Sequence, residues 1–160
     1  MNINIRKVLS SDRDAIISIV NRNGNFTDEE KDCAKELLDI YLGNPEQKDY
    51  NFFCAVDKGE KVIGYICYGR IPLTEGAYDL YWIVVDPLYQ GKGIGKVLVN
   101  RLESVLKDIG ARMLLAETSS KPDYYKTKIF YERNGFTEIA RIKDFYKIGD
   151  DKMIYRKEVS

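Results

Sequence analysis

The stretch Ile83-Val84-Val85-Asp86-Pro87-Leu88-Tyr89-Gln90-Gly91-Lys92-Gly93-Ile94-Gly95-Lys96 decides how this chain is read. An apolar strand stops at Asp86-Pro87, three alternate glycines make a turn, and an amphipathic helix begins. Glycine lets backbone approach a ligand with no Cβ in the way. The first turn of a helix also offers unpaired N–H groups and the positive end of the helix dipole, a combination that suits phosphate. Lys92 and Lys96 fall in that same turn, where a cation is mildly unfavourable for the helix itself. A bound polyanion reverses that sign, so the residues point to a diphosphate.

Two familiar phosphate motifs fail here. In Gly91-Lys92-Gly93-Ile94-Gly95 the third glycine comes one residue too early for a dinucleotide fingerprint, and Gly95-Lys96-Val97 lacks the hydroxyl that a P-loop uses to hold magnesium. The pattern Gln/Arg-x-x-Gly-x-Gly/Ala does fit, as Gln90-Gly91-Lys92-Gly93-Ile94-Gly95. A second motif lies downstream, Tyr125-Lys126-Thr127-Lys128-Ile129-Phe130-Tyr131-Glu132-Arg133-Asn134-Gly135-Phe136. On these two motifs the chain resembles the GNAT acyltransferase superfamily from about residue 3 to residue 157. The first matches that superfamily's acyl-CoA signature. The second matches Ala-x-x-x-Tyr-x-x-x-Gly-Phe, with Thr127 in the alanine place.

The chain has 160 residues, 44% of them hydrophobic and 31% charged, as expected of one soluble globular domain over residues 1–160. Lys+Arg and Asp+Glu each number 25, which argues against a nucleic-acid partner. The cysteines Cys33, Cys54 and Cys67 have no CxxC spacing, so neither disulfides nor a zinc site is expected and a cytoplasmic setting fits. No signal peptide and no transmembrane run is read, so no membrane partner is expected. There is no histidine. That excludes a Ser-His-Asp triad, a Cys-His pair and histidine-bound metal, leaving Asp, Glu, Tyr, Lys, Cys, backbone or water for proton transfer.

Periodicity predicts a strand over 2–9, then a helix capped by Asp12 that carries Ile16, Ile19 and Val20. Thr27-Asp28-Glu29-Glu30 reads as a capping box for a second helix with Cys33, Leu37 and Tyr41 beside Ala34 and Leu38. Strands over 52–57 and 62–70 form a hairpin, and 78–85 reads as a central strand covered on both faces. Ile94, Leu98, Leu102, Val105 and Ile109 mark the helix after the glycines. A short strand over 113–118, a helix over about 124–134 with Gly135 as its C′ residue, and a closing antiparallel pair complete the chain. The fold class is α/β with a mixed sheet. The order βααβββαβαββ is that of the GNAT fold.

The resemblance implies that the backbone of Ile83, Val84 and Val85 pairs with the pantetheine arm of an acyl-CoA. It places Gln90, Gly91, Lys92, Gly93, Ile94, Gly95 and Lys96 on the diphosphate. In many members the tyrosine four residues before the glycine lies beside the CoA sulfur, here Tyr131. A phenol of pKa ~10 is protonated at neutrality and can donate to a leaving thiolate; the same helix would equally pack Phe130 and Tyr131 on the sheet. Where many members carry a pantetheine-binding asparagine, this chain has Tyr124.

An acceptor amine with a pKa near ~10.4 must lose a proton before it attacks. Glu117, beside the place where the superfamily's strands splay for the thioester, is the first candidate base, with Asp79 behind it. Glu117 could instead cap the N–H groups of Thr118-Ser119-Ser120. Tyr65, Tyr68, Tyr81 and Trp82 read as core more readily than as acceptor-side residues, and at most one of Tyr81 and Trp82 can face a substrate. Residues 144–151 read as a hairpin turn through Gly149-Asp150 rather than an acceptor loop. Cys67, in a strand and without a histidine to ionise it, reads as inert.

The reading that follows is an N-acyltransferase using acetyl-CoA as cosubstrate and no metal. It passes the acetyl group directly to a primary amine of a small molecule or amino acid. A non-catalytic acyl-CoA sensor is the alternative, separated by Tyr131 and an acidic strand residue, which a pure binder does not need. The superfamily also admits a homodimer.

Overall fold

The computed structural model describes residues 2–159. The strands β1 (Asn4–Lys7), β2 (Asn51–Val56), β3 (Val62–Arg70), β4 (Ala77–Val85), β5 (Met113–Ser119), β6 (Thr137–Lys147) and β7 (Asp150–Glu158) hydrogen-bond in the order β1-β2-β3-β4-β5-β7-β6. Helices α1 (Arg13–Arg22), α2 (Asp28–Gly43), α3 (Ile94–Asp108) and α4 (Tyr125–Arg133) connect them, which bears out the order βααβββαβαββ. The sheet is mixed: β4 and β5 run parallel, while β1–β2, β2–β3, β5–β7 and β6–β7 are antiparallel. The chain groups into two compact units, residues 2–69 with 82–102 and residues 70–81 with 103–159.

In the first unit, the strands present Phe52, Tyr65 and Cys67 to Ile16, Ile19 and Val20 of α1 and to Ala34 and Leu38 of α2. Three details differ from the pattern read in the sequence. Asp12 makes no cap bond to α1; its carboxylate turns back to accept from the Leu9 N–H at 2.7 Å and pairs with Arg6. A nearby guanidinium satisfies that buried charge better than helix N–H groups alone. Thr27 does cap α2, accepting from the Glu30 N–H at 3.1 Å, but Cys33 faces solvent. The stripe of α3 is Ile94, Leu98, Val99, Leu102 and Leu106 rather than one through Val105 and Ile109. The chain turns at Gly110, whose φ is +75°, so Ile109 lies beyond the last helical turn and is exposed.

Strand β4 is central, yet it is not covered on both faces. Leu80 and Val84 are buried on one side, whereas Tyr81 is exposed and Ile83 and Val85 are only partly covered on the other. An apolar run establishes β propensity, not which elements will cover it. In the second unit, β4 pairs with β5 in the register Ala77↔Met113 to Leu80↔Ala116, and β7 continues beside β5 from Met113↔Glu158 to Ser119↔Lys152. Gly135, at φ +87°, follows α4 as read, and Ile148-Gly149 turns β6 into β7. Among the described residues no helix is long and apolar enough to cross a membrane.

Candidate functional site

The glycine turn is built from β4 outward. Asp86 ends the strand fully buried, its carboxylate accepting from the Leu88 N–H at 3.0 Å and its carbonyl from the Tyr89 N–H at 2.7 Å. Arg22 of α1 donates to both carboxylate oxygens, at 2.7 and 3.0 Å. That hydrogen-bonded partner holds the Asp86 pKa below the ordinary range, against the opposing effect of burial. Behind the turn, a Cβ on Gly64 would sit 3.1 Å from the Val84 carbonyl and 3.3 Å from Ile94 Cγ2, so only glycine lets these backbones close up.

Gly91 and Gly93 adopt φ of +77° and +81°, which side-chain-bearing residues rarely do, and a Cβ on either would project into open space. The Gly93 carbonyl accepts from the Val97 N–H at 3.2 Å and so closes the first turn of α3. The N–H groups of Ile94, Gly95 and Lys96 have no intrahelical acceptor there. Ile94 and Gly95 are buried, while Gln90, Lys92 and Lys96 are exposed around the turn. The donor set and the open space above it fit an anionic diphosphate.

The second unit holds the titratable candidates, on two faces of one layer. Asp79 stands opposite Leu115, and Glu117 is two residues further along β5, so both share a face. Lys152, opposite Ser119, lies on that face too, and its ammonium contacts the Glu117 carboxylate at 2.9 Å. It also sits 4.5 Å from the Phe145 ring centroid. The observed partner of Glu117 is thus Lys152 rather than the N–H groups of Thr118-Ser119-Ser120. Burial first, then the Glu117 charge, push the Asp79 pKa above the ordinary aspartate value, and Lys152 opposes them. Sequence reasoning ranked Asp79 second and missed Lys152. Its signal lies 35 positions beyond Glu117 and emerges only from the β5–β7 register.

Tyr131 belongs to the opposite face. Its ring packs 5.5 Å from Tyr155, which stands opposite Ala116, and 5.1 Å from Phe136. The side chain is buried, and burial, followed by the neighbouring Tyr155, raises its pKa well above that of a free phenol. Tyr131 therefore keeps its proton throughout the physiological range. Among the described residues the buried Tyr155 hydroxyl has no hydrogen-bond partner, and burial pushes its pKa up to about 12. Tyr124 lies in the 3-10 turn Pro122–Tyr124 that leads into α4.

Other candidates settle as packing. Tyr65 stacks on Phe52 at 5.9 Å, Tyr68 is buried against Phe53 at 5.7 Å, and Trp82 meets Phe26 edge-on at 5.2 Å. Cys67 is fully buried, which raises its pKa well above an ordinary thiol. Among the described residues no group of three or more His, Cys, Asp or Glu is placed to hold a metal.

Comparison with known proteins agrees with this arrangement of turn, strand and helix. Residues 48–138 match the family model described as an acetyltransferase (GNAT) domain. A crystal structure described as a GNAT-family acetyltransferase from Desulfovibrio desulfuricans superimposes with a TM-score of 0.94 at 42% identity, covering 99% of this chain and 100% of that one. The [ribosomal protein bS18]-alanine N-acetyltransferase of Haemophilus influenzae is 32% identical over 90 residues, 56% of this chain and 57% of its own length. The N-alpha-acetyltransferase RimI of Mycobacterium tuberculosis is 26% identical over 111 residues, 68% of this chain and 67% of its own. The PaiA N-acetyltransferase of Thermoplasma acidophilum, solved with coenzyme A, shares the fold at a TM-score of 0.75 and 23% identity, with 99% of each chain covered. The chain belongs to the GNAT acetyltransferase family.

Proposed function

We propose that this protein transfers an acetyl group from acetyl-CoA directly to a primary amine of a small molecule or amino acid. The observation that carries the reading is the Gln90–Lys96 turn, with open space above Gly91 and Gly93 and uncommitted N–H groups at the start of α3. The names of two relatives, an N-alpha-acetyltransferase and an alanine N-acetyltransferase, support an α-amino group among the acceptors to be tried.

In this reading the turn and Lys92 and Lys96 bind the diphosphate. The backbone of Ile83, Val84 and Val85 pairs with the pantetheine, and an N–H near Val84 or Val85 polarises the thioester carbonyl. The Glu117–Asp79 pair accepts the ammonium proton, directly or through water, and the freed amine forms the new C–N bond as the C–S bond breaks. Tyr131 gives its proton to the departing thiolate. The carboxylates and the phenol lie on opposite faces of the β5–β7 layer.

Calorimetry with CoA tests the first step. Gly93→Val should lose most affinity while remaining folded. Gly110→Val, which carries a similar backbone strain at φ +75°, should bind as wild type. Equal affinity in Gly93→Val and wild type would remove the reading's basis. A panel of amines, free amino acids and peptide N-termini, scored by CoA release, then tests transfer; binding without turnover on any of them would favour the sensor alternative.

A further inference from the structure

Beside the diphosphate turn, two lysines meet at one aromatic ring. Lys92, between the two positive-φ glycines, has its ammonium 5.3 Å from the Tyr89 ring centroid. Lys61, just before β3, has its ammonium 5.2 Å from the same centroid. Among the described residues neither ammonium has a salt-bridge partner. Tyr89 also lines a cleft of about 460 Å³ together with Asn2, Asp57, Lys58 and Gly59.

The acidic groups nearby are already engaged. Asp57 accepts from the Gly59 and Lys61 N–H groups at 2.8 and 3.0 Å. Glu60 faces Arg6 at 3.7 Å, and Asp86 is held at both oxygens by Arg22, with the Lys61 charge a lesser influence on it. Two cations drawn to one ring repel each other, and cation–π attraction at an exposed site repays little of that cost. An anion between them would repay it. Because the ring already receives two cations, a phosphate fits this place better than a stacked purine.

We infer that Lys61, Tyr89 and Lys92 form a subsite for a phosphomonoester, namely the 3′-phosphate of the CoA nucleotide. The inference rests on the acyl-CoA reading above. In CoA the ribose joined to the diphosphate also carries the 3′-phosphate a few bonds away, so a ligand on the Gln90–Lys96 turn has this group close by. Lys92 sits within the turn. Lys61 comes from the separate β2–β3 hairpin and can sense the extra phosphate without touching the diphosphate.

Titrating the protein with CoA and with 3′-dephospho-CoA at one moderate salt concentration separates the two readings. Wild type should prefer CoA by about tenfold, the scale of one charge-assisted contact. Lys61→Gln, a change on an exposed side chain, should close most of that gap and leave dephospho-CoA affinity unchanged. Equal wild-type affinity for the two ligands would overturn the subsite, as would a Lys61→Gln protein that weakens both equally; the acyl-CoA reading would survive either result. Failure of wild type to bind either ligand would overturn both.

Discussion

Arg22 and Asp86, 64 positions apart, form a two-pronged ion pair with N–O distances of 2.7 and 3.0 Å, the carboxylate fully buried. It ties the last turn of α1 to the point where β4 gives way to the glycine turn. Asp86 gains this partner on folding, so its folded pKa lies below its unfolded one. The stabilisation is therefore complete above the ordinary carboxylate range and is lost as pH falls through the depressed value.

Asp86→Asn should lower Tm near neutrality, and the gap from wild type should narrow toward about pH 3. If the pair also shapes the turn, KM for acetyl-CoA should rise more than kcat falls. Thermal melts across pH and steady-state kinetics check both. A Tm gap constant with pH would show that the charge of Asp86 is not what matters.

Asp79 carries the opposite sign. Burial and the Glu117 charge raise its folded pKa, so its contribution to stability is present below the unfolded pKa and lost as pH rises through the folded one. Asp79→Asn should therefore raise Tm increasingly as pH rises toward about 8, while turnover falls and the acid limb of kcat/KM is altered. A gain in stability with a loss of activity identifies a charge kept for chemistry rather than for folding. A destabilised, fully active variant would dismiss Asp79 as a base.

Lys152 pairs with Glu117 and lowers the Asp79 pKa. Lys152→Met should move the acid limb of kcat/KM to higher pH, because Asp79 loses the cation that lowers its pKa. Glu117→Gln should show a defect that shrinks as pH rises and more acceptor arrives neutral. A pH-independent Glu117→Gln defect would leave Glu117 as the structural partner of Lys152.

Tyr131→Phe preserves the ring that packs on Phe136 and Tyr155 and deletes its proton. With a verified acceptor, kcat should fall roughly 100-fold with KM for acetyl-CoA little changed, the scale of losing a general acid. Near-wild-type turnover would assign Tyr131 to packing alone.

Cys67 is fully buried and its thiol is held protonated. Cys67→Ala should retain turnover, and mass spectrometry after incubation with acetyl-CoA should find no acetylated cysteine. A stoichiometric, transferable adduct would replace direct transfer with a two-step route.

Local chemistry made the turn and the order of elements legible in the sequence. Gly91, Gly93 and the strand before them depend on backbone rules that act over a few residues. The spacing of Tyr131 and Gly135 belongs to one helix and its C-terminus, and Thr27 announced α2 through a contact three residues away. Relationships that depend on strand register were hidden. Only pairing between β5 and β7 delivers Lys152 to Glu117 and puts Tyr155 beside Tyr131, and only β4–β5 pairing sets Asp79 on the face of Glu117. The exposure of one face of β4, the Arg22–Asp86 pair and the two lysines at Tyr89 were equally out of reach. Each needs side chains brought together from distant segments, whose positions follow from the packing of the fold and leave no periodic trace along the chain.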